Sequence, residues 1–249
     1  MRKLFVVTST IQPREGKFSY SKTRSYFTAE ERFRQTIFTV NSIQNLFPND
    51  DIVIVDSSDE YNEYIETFTI LGVKFIPLKE ISSEAFEIVN SHLSKSLCEC
   101  LMLNSFFKYY KNQLSEYDFI VKACGRYFYS NMNEQMFNEQ NKYKMFFKHP
   151  MRFKWDNSWK YQFVDLRKTD GQNVLSQYCT VLYAFGISHL QKIIDINETA
   201  IHIIEQPEMY HYDIETLSYY LTRPYKNEIV EVDWRVSGWD GTSGKLMHY

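Results

Sequence analysis

Short apolar runs alternate with segments of helical periodicity along the first 130 residues of the chain. Four apolar runs that are rich in β-branched residues predict buried strands, at Leu4 to Val7, Ile52 to Val55, Val73 to Ile76 and Phe119 to Ala123. Strands that alternate with helices imply right-handed crossovers and parallel pairing. We therefore expect an α/β fold with a Rossmann-type, mostly parallel central sheet that is flanked by helices.

The segments between these runs carry the helical signals. Thr28-Ala-Glu-Glu31 is a capping-box pattern, which predicts that a helix covers Ala29 to Leu46. Further helices are predicted at Glu60 to Phe68, Glu84 to Val89 and Lys95 to Tyr110. Residues 11–27 are polar and aromatic without periodicity, which predicts a mobile loop at the carboxyl end of the first strand.

The pattern is less regular after residue 130. Strands are predicted at Met145 to Phe147, Phe163-Val164, Thr180 to Phe185 and Glu228 to Trp234, and helices at Ile187 to Ile194 and Ile214 to Leu221. The last residues, from Trp234 to His248, are too rich in Gly, Ser and Trp for a helix. Because no stretch has the composition of a linker, we expect residues 1–249 to form one domain.

Composition and charge restrict the location and the partners. The net charge of -3 argues against a broad nucleic-acid surface. Two positive charges precede an apolar run of four residues at the amino terminus, which indicates a first strand and not a secretory signal. No run approaches the roughly 20 apolar residues of a membrane span. We expect a cytoplasmic protein with reduced cysteines, with peripheral association at the inner face of a membrane left open.

Polar side chains follow the predicted strands at the points where the strands end. Thr8-Ser-Thr10 follows the first, Asp56-Ser57 the second, and Lys122 and Arg126 flank a glycine at the fourth. The carboxyl ends of parallel strands meet at one sheet edge, where ligands of open α/β sheets bind. Hydroxyls and carboxylates can pair with a nucleoside, and a guanidinium can hold two phosphate oxygens.

With these residues the chain resembles the nucleotide-sugar-dependent glycosyltransferases of the GT-A type. The resemblance rests on Thr8-Ser-Thr10, on the helix segment Gln35 to Ser42 and on the stretch Ile52 to Tyr61, where a strand ends in Asp before a Ser-rich turn. It implies a GT-A-like domain with a nucleotide-binding half at 1–130 and an acceptor-binding half with a C-terminal lid at 131–249.

The resemblance also implies an activity. We expect a hexosyltransferase-like enzyme of polysaccharide biosynthesis that moves a sugar from a nucleotide-sugar donor to a hydroxyl of a glycan acceptor, such as lipopolysaccharide or capsule. A UDP-sugar is the favoured donor. Inversion at the anomeric carbon is the favoured stereochemistry. The alternatives are a sugar nucleotidyltransferase and a non-catalytic carbohydrate- or nucleotide-binding module. The nucleotidyltransferase is disfavoured because no Gly-rich basic loop follows the first strand.

The sequence departs from the GT-A pattern at the fourth strand. Many GT-A enzymes have an Asp-x-Asp there that holds a divalent ion, whereas this chain reads Lys122-Ala-Cys-Gly-Arg126. A manganese or magnesium ion is therefore left open, with Asp56, Asp59 or the tail as conceivable ligands. Lys122 or Arg126 is expected to stabilise the donor phosphates instead; the alternative for Arg126 is an ion pair with a core carboxylate.

The donor site follows from these assignments. The resemblance gives Asp56 a contact with the base or ribose, while Asp59 could instead cap a helix. Lys95 begins a long helix whose amino end could receive a phosphate, or it is ordinary surface charge. The full predicted donor-binding set is Thr8, Ser9, Thr10, Asp56, Ser57, Lys95, Lys122, Arg126 and Lys245.

The predicted catalytic base is a carboxylate near the end of the chain. An inverting transfer needs a group that accepts the proton of the attacking hydroxyl, and the candidates are Asp213, then Glu215, then Glu205. Asp213 precedes a predicted helix, so capping is its alternative role. The tail that includes Lys245 is expected to close over the diphosphate, with a frayed terminus as the alternative.

A cluster of cations and aromatic rings suggests where the acceptor binds. His149, Arg152 and Trp155 lie close together in sequence, and sugars stack their C–H faces on aromatic rings. We therefore predict an acceptor platform there, although ordinary surface packing explains the pattern equally well.

Overall fold

The computed structural model describes residues 1–154, 174–206 and 212–249. Its strands are β1 Lys3–Ser9, β2 Asp51–Asp56, β3 Lys74–Pro77, β4 Phe119–Cys124, β5 Tyr127–Asn131, β6 Met145–Lys148, β7 Met151–Lys154, β8 Val174–Gln177, β9 Leu182–Gly186, β10 Ile229–Val232, β11 Arg235–Trp239 and β12 Leu246–His248. Its α-helices are α1 Ala29–Leu46, α2 Asn62–Ile70, α3 Leu78–Ile81, α4 Ser83–Ser91, α5 Lys95–Tyr109, α6 Lys111–Leu114, α7 Leu190–Ile204 and α8 Ile214–Thr222.

Seven strands form the central sheet, in the order β10-β6-β9-β4-β1-β2-β3. β1 pairs in parallel with β2 and β4, and β2 pairs in parallel with β3. β9 is antiparallel to both of its neighbours, β4 and β6. The predicted α/β class with a mostly parallel sheet is confirmed, and the carboxyl ends of β1, β2 and β4 share one edge.

Helices cover both faces of the sheet because the side chains of a strand alternate between its two sides. On β1, Phe5 and Val7 pack in a core with α1 and α2, whereas Leu4 and Val6 pack in a second core with α4, α5 and α7. Both cores are apolar, so the polar side chains that follow the strands are left at the sheet edge.

Helix α1 begins with the predicted capping box, in which Thr28 and Glu31 bond each other's backbone amides. Its buried stripe is polar where it meets the turn after β4. The Thr36 hydroxyl donates to the carbonyl of Gly125 at 3.1 Å, and the Thr39 hydroxyl donates to the carbonyl of Tyr127 at 2.6 Å. Helix α1 therefore fixes the position of that turn.

Two segments depart from the predicted elements. The helix expected from Ile187 begins at Leu190, after one 3₁₀ turn, and continues to Ile204. The tail, expected as a loop, forms a hairpin of β11 and β12 whose first strand pairs with β5. Gly238 permits this pairing because an added Cβ would collide with the carbonyl oxygen of Arg126. The predicted strand Phe163-Val164 lies outside the described residues.

Among the residues that the structure describes, no helix is both long and apolar enough to cross a bilayer.

Candidate functional site

A cleft lies at the sheet edge where β1, β2 and β4 end, and it encloses about 710 Å³, part of it open to solvent. Hydroxyls of Thr8, Ser9, Thr10 and Ser57 and the cations Arg24, Arg32, Lys95 and Arg126 line it, together with Asn90, Glu99, Cys124, Gly241 and Thr242. Six of the nine predicted donor-binding residues thus line one cleft.

The hydroxyl groups join the strand ends to each other. The hydroxyls of Thr10 and Ser57 lie 2.6 Å apart, and the Thr8 hydroxyl donates to the carbonyl of Ala123 at 3.4 Å. Ser9 contacts the hydroxyl of Thr36 at 3.3 Å. The floor of the cleft is therefore held by bonds between β1, the loop after β2, β4 and α1.

The structure places Asp56 behind the cleft and not in its lining. Its side chain is buried, and its two carboxylate oxygens accept the backbone amides of Ile11 at 3.0 Å and Ser58 at 2.8 Å. Asp59 neither caps α2 nor reaches the cleft, because it pairs with Arg14 at 2.6 Å, and this partner lowers the pKa of Asp59. Both aspartates shape the loops that carry the lining hydroxyls.

The turn Cys124-Gly125-Arg126 lies at the end of β4, within the segment where the sequence departs from the Asp-x-Asp pattern. Gly125 donates to the carbonyl of Thr8 at 2.9 Å, and an added Cβ would lie 3.2 Å from the Thr36 hydroxyl and 3.3 Å from Ser9. The turn is thus packed between β1 and α1, with room for little beyond glycine. This packing brings Arg126 to the cleft.

Arg126 has no carboxylate partner among the described residues. Its Nε donates to the carbonyl of Trp239 at 3.4 Å, and an added Cβ on Gly241 would lie 2.8 Å from its central carbon. The C-terminal hairpin therefore packs directly against the guanidinium. The predicted alternative, an ion pair with a core carboxylate, is not formed within residues 1–154, 174–206 and 212–249.

Sequence reasoning missed a second arginine, Arg32, which lies on the buried face of α1 with 6% of its surface exposed. Its Nη1 donates to the Ser25 hydroxyl at 3.1 Å. Burial, and then the positive charge of Arg126, lower the pKa of Arg32 to about 9, so it stays protonated at neutral pH. The sequence did contain an indication of this position, because Arg32 is spaced from Thr36 and Ile43 so that all three lie on the same, buried face of the helix.

Arg24 anchors the loop that was predicted to be mobile. Its guanidinium donates to the carbonyls of His92 at 2.9 Å and Val89 at 2.5 Å, and it lies over the ring of Phe18 at 4.5 Å. These bonds fasten residues 11–27 to the carboxyl end of α4, so that Pro13 and Phe18 line the cleft.

Lys122 and Glu99 form a buried ion pair beneath the cleft. The Lys122 ammonium also donates to the carbonyl of Thr180 at 2.6 Å and contacts the thiol of Cys124 at 2.9 Å. Burial alone would raise the pKa of Glu99, but Lys122, with smaller contributions from Lys95 and Arg126, lowers it. Lys122 is fully buried and supports the cleft wall without lining it.

Lys95 lies in the first turn of α5, which is capped by the Ser94 hydroxyl through the amide of Leu97 at 3.3 Å. The amino end of this helix of 15 residues borders the cleft, where its free amides and dipole favour an anion. Lys95 itself lines the cleft, and its role in binding a donor stays a prediction.

The three predicted catalytic carboxylates lie in different surroundings. Asp213 caps α8, accepting the amide of Thr216 at 2.6 Å. Glu215, in the first turn of that helix, accepts the Thr180 hydroxyl at 3.2 Å, and burial, followed by repulsion from Asp213 and Glu99, raises its pKa to about 7. Glu205 is exposed at the end of α7 and lines a separate groove.

Asp213 and Glu215 are not among the residues that line the cleft, and the remaining predicted residues also lie away from the lining. Lys245 is exposed on the hairpin loop 240–245, of which Gly241 and Thr242 line the cleft. His149 pairs with Glu231 at 2.9 Å on the surface, and Arg152 is exposed on β7. Trp155 lies outside the described residues, so the acceptor platform stays a prediction.

The described residues do not fit a divalent ion at the cleft. Their His, Cys, Asp and Glu side chains form no group of three that could hold a metal. The oxygens of Asp56 accept backbone amides, and Asp59 pairs with Arg14. Asp240 accepts the amides of Thr242 at 3.1 Å and Ser243 at 2.7 Å within its own loop. The guanidinium of Arg126 stands at the end of the segment that departs from the metal-binding pattern.

Comparisons with known proteins identify the fold class. No protein-family model and no curated protein match the sequence. Among solved structures, core-mannan synthase A from Aspergillus fumigatus in its Mn/GDP form matches with a TM-score of 0.55 and 8% identity, over 95% of this chain and 74% of that one. Mouse xyloside xylosyltransferase 1 in its apo form matches with a TM-score of 0.47 and 9% identity, over 93% and 84%.

The likeness to the mannan synthase shows the fold and nothing finer at this identity. The expected GT-A-like architecture, a mostly parallel seven-stranded sheet between helices, is thereby confirmed. The chain thus shares its fold with this mannan synthase.

Proposed function

We propose that the protein is a glycosyltransferase that moves a sugar from a nucleoside diphosphate donor to a hydroxyl of a glycan. The observation that carries this proposal is the cleft at the ends of β1, β2 and β4, in which hydroxyl groups stand beside Arg32, Arg126 and Lys95. Hydroxyls suit a nucleoside and cations suit its diphosphate. The same fold binds GDP in the mannan synthase, which supports the proposal.

Asn90 is the proposed contact for the base. Its amide nitrogen donates to the carbonyls of Ser57 at 2.9 Å and Phe86 at 3.1 Å, which leaves its oxygen as an acceptor at the cleft. An acceptor can take the ring N–H of uracil or guanine, or the amino group of cytosine, guanine or adenine. Asn90 therefore fits a nucleobase without selecting one, and a UDP-sugar, with a GDP-sugar as the second choice, is the donor that we propose from the resemblance of the sequence and from the fold.

Glu215 is the proposed catalytic base. With inversion, the acceptor oxygen forms a bond to the anomeric carbon while the bond from that carbon to the diphosphate oxygen breaks, and the hydroxyl proton passes to the Glu215 carboxylate. A pKa of about 7 suits this exchange at neutral pH. Asp213 is less suited, because its oxygen holds the amide of Thr216.

We propose that residues 1–130 mainly hold the donor and that residues 131–249 hold the acceptor, with the hairpin as a lid. The acceptor that we propose is a growing surface glycan of the lipopolysaccharide or capsule kind, reached from the cytoplasmic face of a membrane. These two assignments rest on the resemblance of the sequence and on the contribution of Gly241 and Thr242 to the cleft.

The experiment that tests the function is a turnover assay with UDP- and GDP-sugars, in which release of the nucleoside diphosphate is followed with and without glycan acceptors. We expect turnover by the wild type, a loss of roughly tenfold or more in Arg126→Ala, and normal turnover in Arg34→Ala, which removes an exposed arginine from the outer face of α1.

Two other outcomes would contradict the proposal. Formation of a nucleotide-sugar from a nucleoside triphosphate and a sugar phosphate, with release of pyrophosphate, would make the protein a nucleotidyltransferase. Tight nucleotide binding without turnover of any donor would make it a binding module.

A further inference from the structure

Two arginines at the cleft carry positive charge that no carboxylate of the described residues pairs with. Arg32 uses one nitrogen on the Ser25 hydroxyl, and Arg126 uses one on the carbonyl of Trp239. The other guanidinium nitrogens of both side chains have no hydrogen-bond partner in the described part of the chain. Both side chains line the same cleft, at the place where the sheet edge meets α1.

Two neighbouring guanidiniums without a carboxylate partner repel each other unless an anion binds between them. Charged groups are costly to bury unless they are paired. Burial and then the positive charge of Arg126 lower the pKa of Arg32, and the charge of Asp56 offsets this only in part. The carboxylate of the cleft is already engaged, because Glu99 pairs with the buried Lys122. The chain therefore holds two like charges together where a ligand with several negative oxygens would relieve their repulsion.

We propose that Arg32 and Arg126 together hold the donor diphosphate in place of a divalent cation, so that donor binding requires no metal. This inference rests on the proposed function and names how its donor is held. A diphosphate presents two neighbouring phosphates, and each planar guanidinium can bond two of their oxygens. The amino end of α5 and Lys95 add positive potential at the same cleft.

The surroundings of both arginines fit this role. Arg126 follows a glycine packed against Thr36 and lies under the loop at Gly241, so its position is set from two sides. Arg32 is set by α1, the same helix that fixes the turn of Arg126. A divalent cation at this place would face two guanidiniums, and Glu99, the carboxylate among the lining residues, is paired with Lys122, so the same charges that attract a diphosphate repel a metal.

The test is calorimetric binding of UDP, GDP and inorganic pyrophosphate to the full chain, in EDTA and again in manganese. We expect UDP or GDP, and pyrophosphate, to bind in EDTA with the affinity seen in manganese. Arg32→Met and Arg126→Met should each raise the dissociation constant by roughly tenfold to a hundredfold, and manganese should not restore it.

Matched controls separate a loss of contact from a loss of fold. Arg34→Met removes an exposed arginine two residues from Arg32 on the same helix and should bind as the wild type does. Arg32→Lys keeps the charge without the planar fork and should bind between the wild type and Arg32→Met. Thermal melting checks that each variant is folded.

The outcomes distinguish this inference from the proposed function. Binding by the wild type only in manganese, or unchanged affinity in Arg32→Met and Arg126→Met, would overturn the inference and leave a donor site in place. An absence of UDP, GDP and pyrophosphate binding in either condition would overturn both.

Discussion

Arg32 belongs to the buried stripe of α1, a place where helical periodicity leads one to expect an apolar side chain. The stripe continues through Thr36 and Thr39 before it becomes apolar at Val40 and Ile43. A helix that faces an ordinary core would have apolar residues throughout, so the polar half marks the part of α1 that meets the cleft. The spacing was visible in the sequence, but the charge looked like that of a solvent-exposed residue.

For the other predicted residues, the three-dimensional structure was needed to tell which side chains line the cleft. Thr8, Ser9, Thr10, Ser57 and Arg126 were predicted because strand ends collect at one edge, and Lys95 because it begins a long helix. All six line the cleft. Asp56 and Lys122 satisfy the same sequence pattern but point behind the cleft. Sequence position cannot separate these cases, since the direction of a side chain at a strand end depends on the local twist and on its hydrogen-bond partners.

Glu215 gives a prediction at this scale because its pKa is raised from 4.5 to about 7. The folded chain keeps the proton that the unfolded chain loses, so the free energy of unfolding falls as pH rises from about 4.5 to about 7. Glu215→Gln should therefore lessen this fall in urea titrations at a series of pH values. It should also abolish most turnover and remove the rise of kcat near pH 7.

The control is Glu205→Gln, which removes an exposed carboxylate outside the cleft. It should leave both the stability profile and the pH dependence of kcat unchanged. A Glu215→Gln variant with the wild-type pH profile would exclude Glu215 as the base.

At the scale of elements, α1 links the sheet edge to the turn that carries Arg126. The strands and helices of the first half were predictable because each has a continuous apolar run or a capping signal. The C-terminal hairpin was not, because its pairing depends on the close approach of Gly238 to Arg126, which composition alone does not reveal. A segment rich in glycine is typical of a loop until a partner strand is known.

Thr39→Val tests the link between α1 and β5. The change keeps the volume but removes the donor to the buried carbonyl of Tyr127, and an unpaired buried group costs about 1–3 kcal/mol. Urea denaturation should show a loss in that range. Thr69→Val, an exposed threonine that bonds only within its own helix, should stay within about 0.5 kcal/mol of the wild type. Equal stability of the two variants would contradict the proposed link.

At the scale of the whole molecule, two segments distant in sequence meet over the cleft. The amide of Tyr26 donates to the carbonyl of Gly241 at 2.8 Å, which joins the loop after β1 to the C-terminal hairpin. Gly244 has a φ of +70°, and an added Cβ would collide with the ring of Tyr26. The resemblance to GT-A enzymes suggested a closing tail, whereas the anchored loop at residues 11–27 was expected to be mobile.

Gly244→Val tests this contact. The larger side chain should separate the loop from the hairpin and weaken donor binding by roughly tenfold, because the backbone that packs against Arg126 would shift. Gly72→Ala is the control, since Gly72 also has a positive φ, of +71°, but no neighbour within 4 Å of an added Cβ. Gly72→Ala should lower the free energy of unfolding without changing the affinity for the donor. If calorimetry finds equal affinity in the Gly244→Val and Gly72→Ala variants, the contact between the loop and the hairpin does not contribute to donor binding.

The central claim is that this cleft binds the donor nucleotide, and a thermal-shift screen tests it most directly. UDP, GDP, CMP and their sugars would each be added with and without manganese. A ligand at a hundredfold excess over its dissociation constant adds about 2.7 kcal/mol of stability. We predict that UDP or GDP and its sugars raise the melting temperature equally in both conditions. No shift with any of these nucleotides would contradict the account.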